Sequence, residues 1–149
     1  MAKSLRKTMK TSDKLEVEGV QMELGNCRLT LARAGGANQR YGAAMVAAHK
    51  KHGRAIDLDV MPDELGRKIF YTIWAETVVK VWETNVAPDG EEPEWKPGID
   101  DGNDGLLPFT VENAVAFFTE VPDFFLAVKK TAEDAQFYRQ QLLDDAVKN

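Results

Sequence analysis

The feature that most constrains the fold is a long apolar run between positions 61 and 86, MPDELGRKIFYTIWAETVVKVWETNV. Its large side chains recur at spacings of three and four, which is typical of a helix. They form two rows, Leu65, Ile69, Ile73 and Thr77 in one and Phe70, Trp74, Val78, Val81 and Trp82 in the other. A helix that is apolar over so much of its girth needs partners on more than one side. We therefore expect a central helix here.

The predicted fold class is mainly α. Alternating apolar residues in VQMELGNCRLTLA, residues 20–32, predict an N-terminal β-hairpin that turns at Gly25-Asn26. A first helix follows Gly35-Gly36, the central helix is the second, and two more begin after Thr110 and at Pro122. We expect the hairpin and about four helices in a small bundle, with a long acidic loop between the second and third helix.

The chain of 149 residues is long enough for one core and short for two. Residues 1–18 are predicted to be a basic, flexible arm, because Met1 to Lys14 carry five positive side chains and few large apolar ones. Residues 19–149 are predicted to form a single, mostly helical domain. Within it, residues 84–108 are rich in proline, glycine and acids, and we expect a loop without regular structure.

Composition disfavours several function classes. The net charge of −5 makes a dedicated nucleic-acid binder an unattractive hypothesis, although the basic arm leaves open a regulatory protein that binds nucleic acid or an acidic partner. No apolar run approaches the roughly 20 residues that cross a bilayer, so we expect no membrane partner. The single Cys27 cannot form an internal disulfide, and a reducing cytoplasm suits it.

Gly35 and Gly36 invite comparison with phosphate-binding loops. A Walker loop needs Lys and then Ser or Thr after its last glycine, whereas here Ala37 and Asn38 follow. The dinucleotide fingerprint needs a third glycine three positions on, which is missing. We therefore interpret the pair as a hinge between a strand and a helix, with Asn38 as the helix cap.

Two other stretches suggest metal ions. The sequence DDGNDG, residues 100–105, resembles part of a calcium loop, but one register lacks the final Glu and the other lacks the central Gly. His49 and His52 could share a helix face, yet zinc sites usually need three or four protein ligands. We expect a solvated acidic loop and no metal or other cofactor. No arrangement of nucleophile and base indicates an enzyme.

The aromatic residues offer a candidate interface. Phe117-Phe118 and Phe124-Phe125 are adjacent pairs, and neighbouring helical residues point about 100° apart, so each pair reaches two faces. Either a compact helical core absorbs both faces, or one of them contacts a client or a sister subunit. The residues predicted for that contact are Trp74, Trp82, Phe117, Phe118, Phe124 and Phe125.

Three stretches together carry a resemblance to a known family. They are LARAGGANQRYGAAM, IFYTIWAETVVKVWETNV and LPFTVENAVAFFTEVPDFFLAV. In this order, over about Gly19 to Tyr138, they resemble the tail assembly chaperones of long-tailed, siphovirus-type bacteriophages. The acidic loop from Ala87 to Gly105 looks longer than the family pattern needs, so no residue-level comparison is made there.

The resemblance implies a non-catalytic protein of the infected cell's cytoplasm, missing from the mature virion. Its partners would be the apolar, helical tape measure protein, which it keeps soluble, and the tail tube protein, which later takes its place. It also implies self-association into rings or spirals, and in many members a longer frameshifted form. The alternative is a structural virion protein of the tail or head-tail connector, a class usually richer in strands.

Overall fold

The computed structural model describes residues 4–140 and residue 142. The first half contains helices α1 (Leu5–Met9) and α2 (Asp13–Glu18), strands β1 (Val20–Leu24) and β2 (Cys27–Leu31), and helices α3 (Gln39–Asp57) and α4 (Asp63–Thr77). The second half contains strands β3 (Val79–Asn85), β4 (Trp95–Pro97), β5 (Ile99–Asp100) and β6 (Leu106–Leu107), helices α5 (Val111–Glu120) and α6 (Pro122–Glu133), and a 3-10 turn, Ala135–Tyr138.

The predicted fold class is wrong. In the described part of the chain, six α-helices accompany a four-stranded antiparallel sheet in the order β1-β2-β3-β4 and a separate pair, β5-β6. The expected hairpin forms, with Met22 opposite Leu29. It is half of a larger sheet, because β3 pairs along β2 and places Trp82 opposite Leu29.

The main error concerns the end of the central helix. Helix α4 stops at Thr77, and the next seven-residue stretch is strand β3. Within β3, Trp82 and Thr84 are buried while the residue between them is less so, which is the period of two expected for a strand. The β-branched residues from Thr77 to Val81 favour that change, since such side chains fit a pleated surface better than a helix.

The acidic segment is more ordered than predicted. Strand β4 adds to β3 by pairing Trp95 with Asn85, and the Asn85 side chain accepts hydrogen bonds from the backbone of Ala87 and Glu94 at 3.0 and 2.9 Å. Asp101 accepts bonds from the amides of Asn103 and Gly105 at 2.7 and 3.0 Å, which closes the β5-β6 turn. Local turn chemistry thus organises residues that lack any apolar period.

The N-terminal segment also differs from the expected flexible arm. Residues 5–9 and 13–18 are helical, each capped by a serine, and Ser12 and Glu16 are buried. The Glu16 carboxylate accepts a hydrogen bond from Thr11 at 2.9 Å and pairs with Arg33 at 2.7 Å. A carboxylate this buried is stabilised by a paired, hydrogen-bonded cation, so the polar contacts anchor a segment with few apolar side chains.

The core lies between one face of the four-stranded sheet and helices α4, α5 and α6. Leu29, Leu31 and Val128 are completely buried within it. Helix α6 ends at Glu133, and the turn that follows carries Tyr138 back to the sheet. There its hydroxyl donates to the backbone carbonyl of Leu31 at 3.1 Å.

Candidate functional site: an apolar groove between two helices

The six predicted interface aromatics lie inside the chain's own core. Five of them are buried, namely Trp74, Trp82, Phe118, Phe124 and Phe125. The sixth, Phe117, is partly buried against the core. The structure divides the set into two linked groups. Phe125 joins Trp74 and Phe118, with ring centroids 5.4 and 5.1 Å apart, whereas Trp82 contacts Phe117 at 6.1 Å.

These rings meet edge to face in most pairs, as close-packed aromatics prefer. Phe117 and Phe124 connect the two groups at 4.8 Å. Within a single chain, the five buried rings therefore offer no face to a partner. Of the six, only Phe117 keeps an intermediate exposure.

An apolar concavity lies between α3 and α4, a region that the aromatic argument did not single out. It has a volume of about 470 Å³. Its walls carry apolar side chains on facing sides of the helical hairpin: from α3 Met45, Ala48 and Ile56, and from the α4 side Met61, Ile69, Phe70 and Ile73. We call this concavity the α3–α4 groove.

The groove exists because α3 supplies little bulk. The only buried residue in α3 is Gly53, although the helix is 19 residues long. Its wall of the groove combines the small Ala48 with Met45 and Ile56, and none of the three is buried. Met45 is 36% exposed and Ile56 is 50% exposed, so α3 keeps an apolar face open to solvent. Exposed apolar surface of this kind typically marks an association site.

Polar contacts hold α3 in this position. Asn38 is buried just before the helix, and its amide donates to the carbonyls of Arg33 and Thr77, both at 2.8 Å. The prediction that its side chain caps α3 is therefore wrong, because that side chain makes no cap hydrogen bond. Arg40 donates to the carbonyl of Glu76 at 3.0 Å. Both contacts tie the start of α3 to the end of α4.

The glycine pair is a strand-to-helix hinge, as predicted. Gly35 and Gly36 have φ angles of 131° and 53° and lie between β2 and α3. A Cβ on Gly36 would come within 1.7 Å of the Glu16 carboxylate. The second glycine is therefore required both by the backbone angle and by the buried ion pair beside it.

The two histidines considered as metal ligands and the single cysteine lie in different surroundings. No group of three or more His, Cys, Asp or Glu side chains suited to a metal ion occurs among residues 4–140 and 142. His49 and His52 line the groove. Burial raises the pKa of the Cys27 thiol to about 11, so this thiol stays protonated near neutral pH. A protonated, buried thiol is a poor nucleophile and a poor metal ligand.

A second cleft, of about 490 Å³, opens beside the end of α4 and is more polar. Arg40, Glu76 and Lys80 contribute to its lining. Arg40 already donates a hydrogen bond to a backbone carbonyl, and Glu76 carries the opposite charge. The lining of this cleft is therefore neither mainly apolar nor of one charge. The α3–α4 groove is the better candidate for binding.

The comparison with known families supplies the origin of the chain. The model of the YdaY prophage protein family matches residues 36–149, which include α3, α4 and everything that follows them. The chain belongs to the YdaY prophage protein family. It is therefore a protein of phage origin, as the resemblance to a bacteriophage family implied.

No match to this YdaY family member was found among curated proteins or among solved structures. The family match covers both walls of the groove and leaves out the hairpin and the N-terminal helices. No helix in the described part of this prophage protein is long and apolar enough to cross a membrane.

Proposed function

We propose that this prophage protein is a tail assembly chaperone that binds the tape measure protein and keeps it soluble during tail morphogenesis. The observation that carries the proposal is the α3–α4 groove, an apolar channel whose α3 wall buries only Gly53. The phage origin of the family and the sequence resemblance support the same function. The protein acts by binding, without catalysis.

The groove suits a helical client. Its α3 wall runs from Met45 to Ile56, which at 1.5 Å per residue is about 17 Å, or about three helical turns. An amphipathic helix places anchor residues at spacings of three and four, and such a stripe fits an apolar groove of this length. A tape measure protein with a long apolar helical stripe offers many such segments.

Weak, repeated contacts explain how the client is later released. Several copies bound along one long client, associated with each other in a ring or spiral, gain avidity without tight single contacts. Tail tube subunits then displace them one at a time and assemble around the tape measure protein. The chaperone works in the host cytoplasm and is left out of the mature virion.

Co-expression with the tape measure protein of the same prophage tests the proposal. We expect the client to be soluble with this chain and aggregated without it. Ala48→Arg places a long charged side chain in the groove and should abolish the effect. Ala47→Arg is the matched control, because this exposed neighbour lies about 100° around the same helix and does not line the groove. A client that is equally soluble without the chain contradicts the proposal.

One observation favours the second candidate, a structural protein of the tail or head-tail connector. The four-stranded sheet has β1 at its edge, and an edge strand can extend a sheet into a neighbouring subunit. Mass spectrometry of purified particles separates the two functions. Many copies per virion support the structural protein, and absence from the virion supports the chaperone.

A further inference from the structure

The turn that joins α3 to α4 exposes apolar side chains on an ordered backbone. Leu58 and Val60 are 62% and 66% exposed. Asp59 between them has a positive φ of 54°, and the amide of Val60 donates a hydrogen bond to the carbonyl of Ala55 at 3.0 Å. Apolar side chains held out to solvent on a fixed turn are typical of an association surface.

A concavity of about 310 Å³ opens beside this turn, next to the α3–α4 groove. Ile56 and Met61 line both, whereas Asp59 and Asp63 line this concavity and not the groove. The lining also includes one cation, Arg67, and in the described part of the chain none of these three charged side chains takes part in an ion pair. We call it the hairpin concavity. Its lining is apolar with a net negative charge.

The sequence around the hairpin concavity adds to this charge. Residues 55–65 contain four acidic residues and no basic one: Asp57, Asp59, Asp63 and Glu64. All four are exposed. The complementary partner is therefore a surface that carries cations beside an apolar stripe.

Helix α1 has this complementary chemistry. Leu5 and Met9 are four residues apart and so share one face of the helix, and Arg6 and Lys10 follow at the same spacing beside them. All four side chains are exposed. No acidic residue occurs between positions 4 and 12. Helix α1 thus combines an apolar stripe with a basic border.

Helix α1 also lacks packing of its own. Its ends are fixed, because Ser4 accepts a hydrogen bond from the Lys7 amide at 3.3 Å and the Lys10 carbonyl accepts one from the Gln140 amide at 2.9 Å. Yet none of its five residues is buried, and Leu5 is 74% exposed. Isolated helices shorter than about 12 residues are marginal in water and are stabilised mostly by packing. A partner that covers the apolar stripe would supply that packing.

Within one chain, α1 and the hairpin concavity do not cover each other, because Leu5 and Ile56 both remain exposed. The anchor of the N-terminal segment explains this. Glu16 pairs with Arg33 at 2.7 Å and lies beside Gly36, just before α3 begins. The hairpin concavity is at the other end of α3, whose 19 residues span about 28 Å. The α1 that fits this concavity therefore belongs to a second copy of the chain.

We infer that α1 of one copy binds the hairpin concavity of a second copy. The apolar stripe of α1 covers the apolar lining, and the basic border meets Asp59 and Asp63. Because the two surfaces differ, each bound copy keeps one of them free, and the contact repeats head to tail into a ring or a helical array. The inference goes beyond the proposed function, since it concerns a contact between copies and involves no client.

The charges set the direction of this contact. Two hairpin concavities facing each other would bring like charges together, as would two α1 helices, so the head-to-tail pairing is the complementary one. Exposed ion pairs contribute little affinity each, and a five-residue helix buries a small area, so a single contact is weak. Assembly should therefore depend on protein concentration and weaken as salt screens the charges.

Light scattering of the full-length protein after size-exclusion chromatography tests the contact. At low salt we expect a mass that rises with protein concentration above the 16.6 kDa of one chain. Two charge variants should each weaken assembly at least about tenfold. One combines Arg6→Glu with Lys10→Glu on α1, and the other combines Asp59→Asn with Asp63→Lys at the hairpin concavity. Asparagine is used at position 59 because it tolerates a positive φ.

Mixing the two charge variants is the decisive measurement. Alone, each variant carries two surfaces of like charge. In an equal mixture, the acidic α1 of one variant meets the basic concavity of the other, and the two unchanged surfaces also match, so we expect assembly to return. Leu5→Ser with Met9→Ser changes no charge and should also weaken assembly, because the apolar stripe is lost.

Matched controls carry the same charge changes at exposed positions outside both surfaces. Lys80→Glu with Lys130→Glu matches the α1 variant, and Glu91→Gln with Glu92→Lys matches the concavity variant. Both controls should assemble as the natural chain does, and circular dichroism checks the fold of every variant. If the concavity variant loses its helical signal, the α1 variants decide, because α1 has no buried residue and its substitution leaves the core intact.

A monomer at every concentration overturns the inference. An assembly that both charge variants leave intact overturns it too, as does one that the variants dissociate and the mixture does not restore, because the two surfaces then do not meet. The chaperone proposal fails separately. A client that is equally soluble without the chain contradicts that proposal, whereas restored assembly in the mixture supports the contact between copies in either case.

Discussion

The two sides of helix α4 make a natural comparison. One side, with Tyr71 and Trp74, is buried in the aromatic core, where Tyr71 and Phe125 have ring centroids 4.6 Å apart. The other side faces α3 and forms a wall of the groove. Both sides have the apolar composition of core positions, so the difference comes from the partner. Helices α5 and α6 supply phenylalanines that fill the space, whereas the apolar α3 residues at the groove, Met45, Ala48 and Ile56, are not buried.

Phe70 stands between the two regions. Its ring contacts Phe125 in the core at 5.8 Å, and it also lines the groove. The groove therefore has a rigid wall on the α4 side and a lightly packed wall on the α3 side. A binding channel with one fixed wall and one adaptable wall suits clients whose anchor residues vary in size. The following predictions test whether the two regions differ in stability as this comparison requires.

The largest effect is expected in the core. Phe118→Ala removes a completely buried ring that packs against Tyr71 and Phe125 at 5.6 and 5.1 Å. We expect a loss of about 3 to 5 kcal/mol in the free energy of unfolding, from lost burial and from the cavity left behind. Urea denaturation measures it. A loss below about 1 kcal/mol would mean that the core is as loosely packed as the groove.

The next effect tests how well the core excludes water and charge. Burial disfavours the thiolate and raises the pKa of the Cys27 thiol from the ordinary value of 9.0 to about 11 in the folded state. The folded state then holds a proton that the unfolded state has lost, so stability falls as pH rises between these values. We expect a decrease of about 2 to 3 kcal/mol from this group.

Chemical denaturation between pH 8 and pH 11 measures that decrease, with Cys27→Ala as the comparison. The variant should lose less stability over this range than the natural chain. It should still lose some, because burial also raises the pKa of Tyr138. An equally steep decrease in the variant would show that water reaches Cys27 freely.

A smaller effect is expected where the α3 wall is anchored. Asn38→Ala removes both hydrogen bonds from its amide and leaves the carbonyls of Arg33 and Thr77 without them. We expect a loss of about 2 kcal/mol in stability. Hydrogen exchange should show faster opening of α3 than of α5. Gln39→Ala, at an exposed neighbouring position, is the control and should change stability by less than about 0.5 kcal/mol.

The smallest effect on stability is expected in the groove itself. Met45→Ala shortens a side chain that is already 36% exposed, so the free energy of unfolding should change by less than about 1 kcal/mol. Binding of a synthetic amphipathic helical peptide with a leucine stripe should nevertheless weaken about fivefold, because an anchor contact is lost. Thermal unfolding and fluorescence anisotropy provide the two measurements. A large loss of stability with unchanged binding would show that Met45 belongs to the core.

Local signals in the sequence account for much of the fold. The hairpin follows from the alternation of apolar residues around Gly25-Asn26, and the hinge follows from Gly35-Gly36. The start of α5 follows from Thr110, whose hydroxyl oxygen accepts a hydrogen bond from the Asn113 backbone amide at 3.0 Å. Each depends on residues within a few positions of one another. Such features are readable because their hydrogen bonds and backbone angles are local.

The end of α4 and the aromatic pairs could not be read in the same way. The apolar residues from Val78 to Trp82 satisfy a helical spacing, and their pairing with β2 adds to the β-branched preference for a strand. For the same reason, the surplus of aromatic residues did not show which surface stays open. Phe118 and Phe125 pack against Tyr71 of α4, and Phe117 packs against Trp82 of β3. The open apolar surface lies between α3 and α4.

The sequence by itself determined where the chain turns, where helices can begin and how much apolar surface must be covered. Only the tertiary structure decided which apolar faces cover one another, because burial depends on the size and shape of residues brought together from distant positions. Bulky rings closed the space around α4 on one side, and the side chains of α3 left it open on the other.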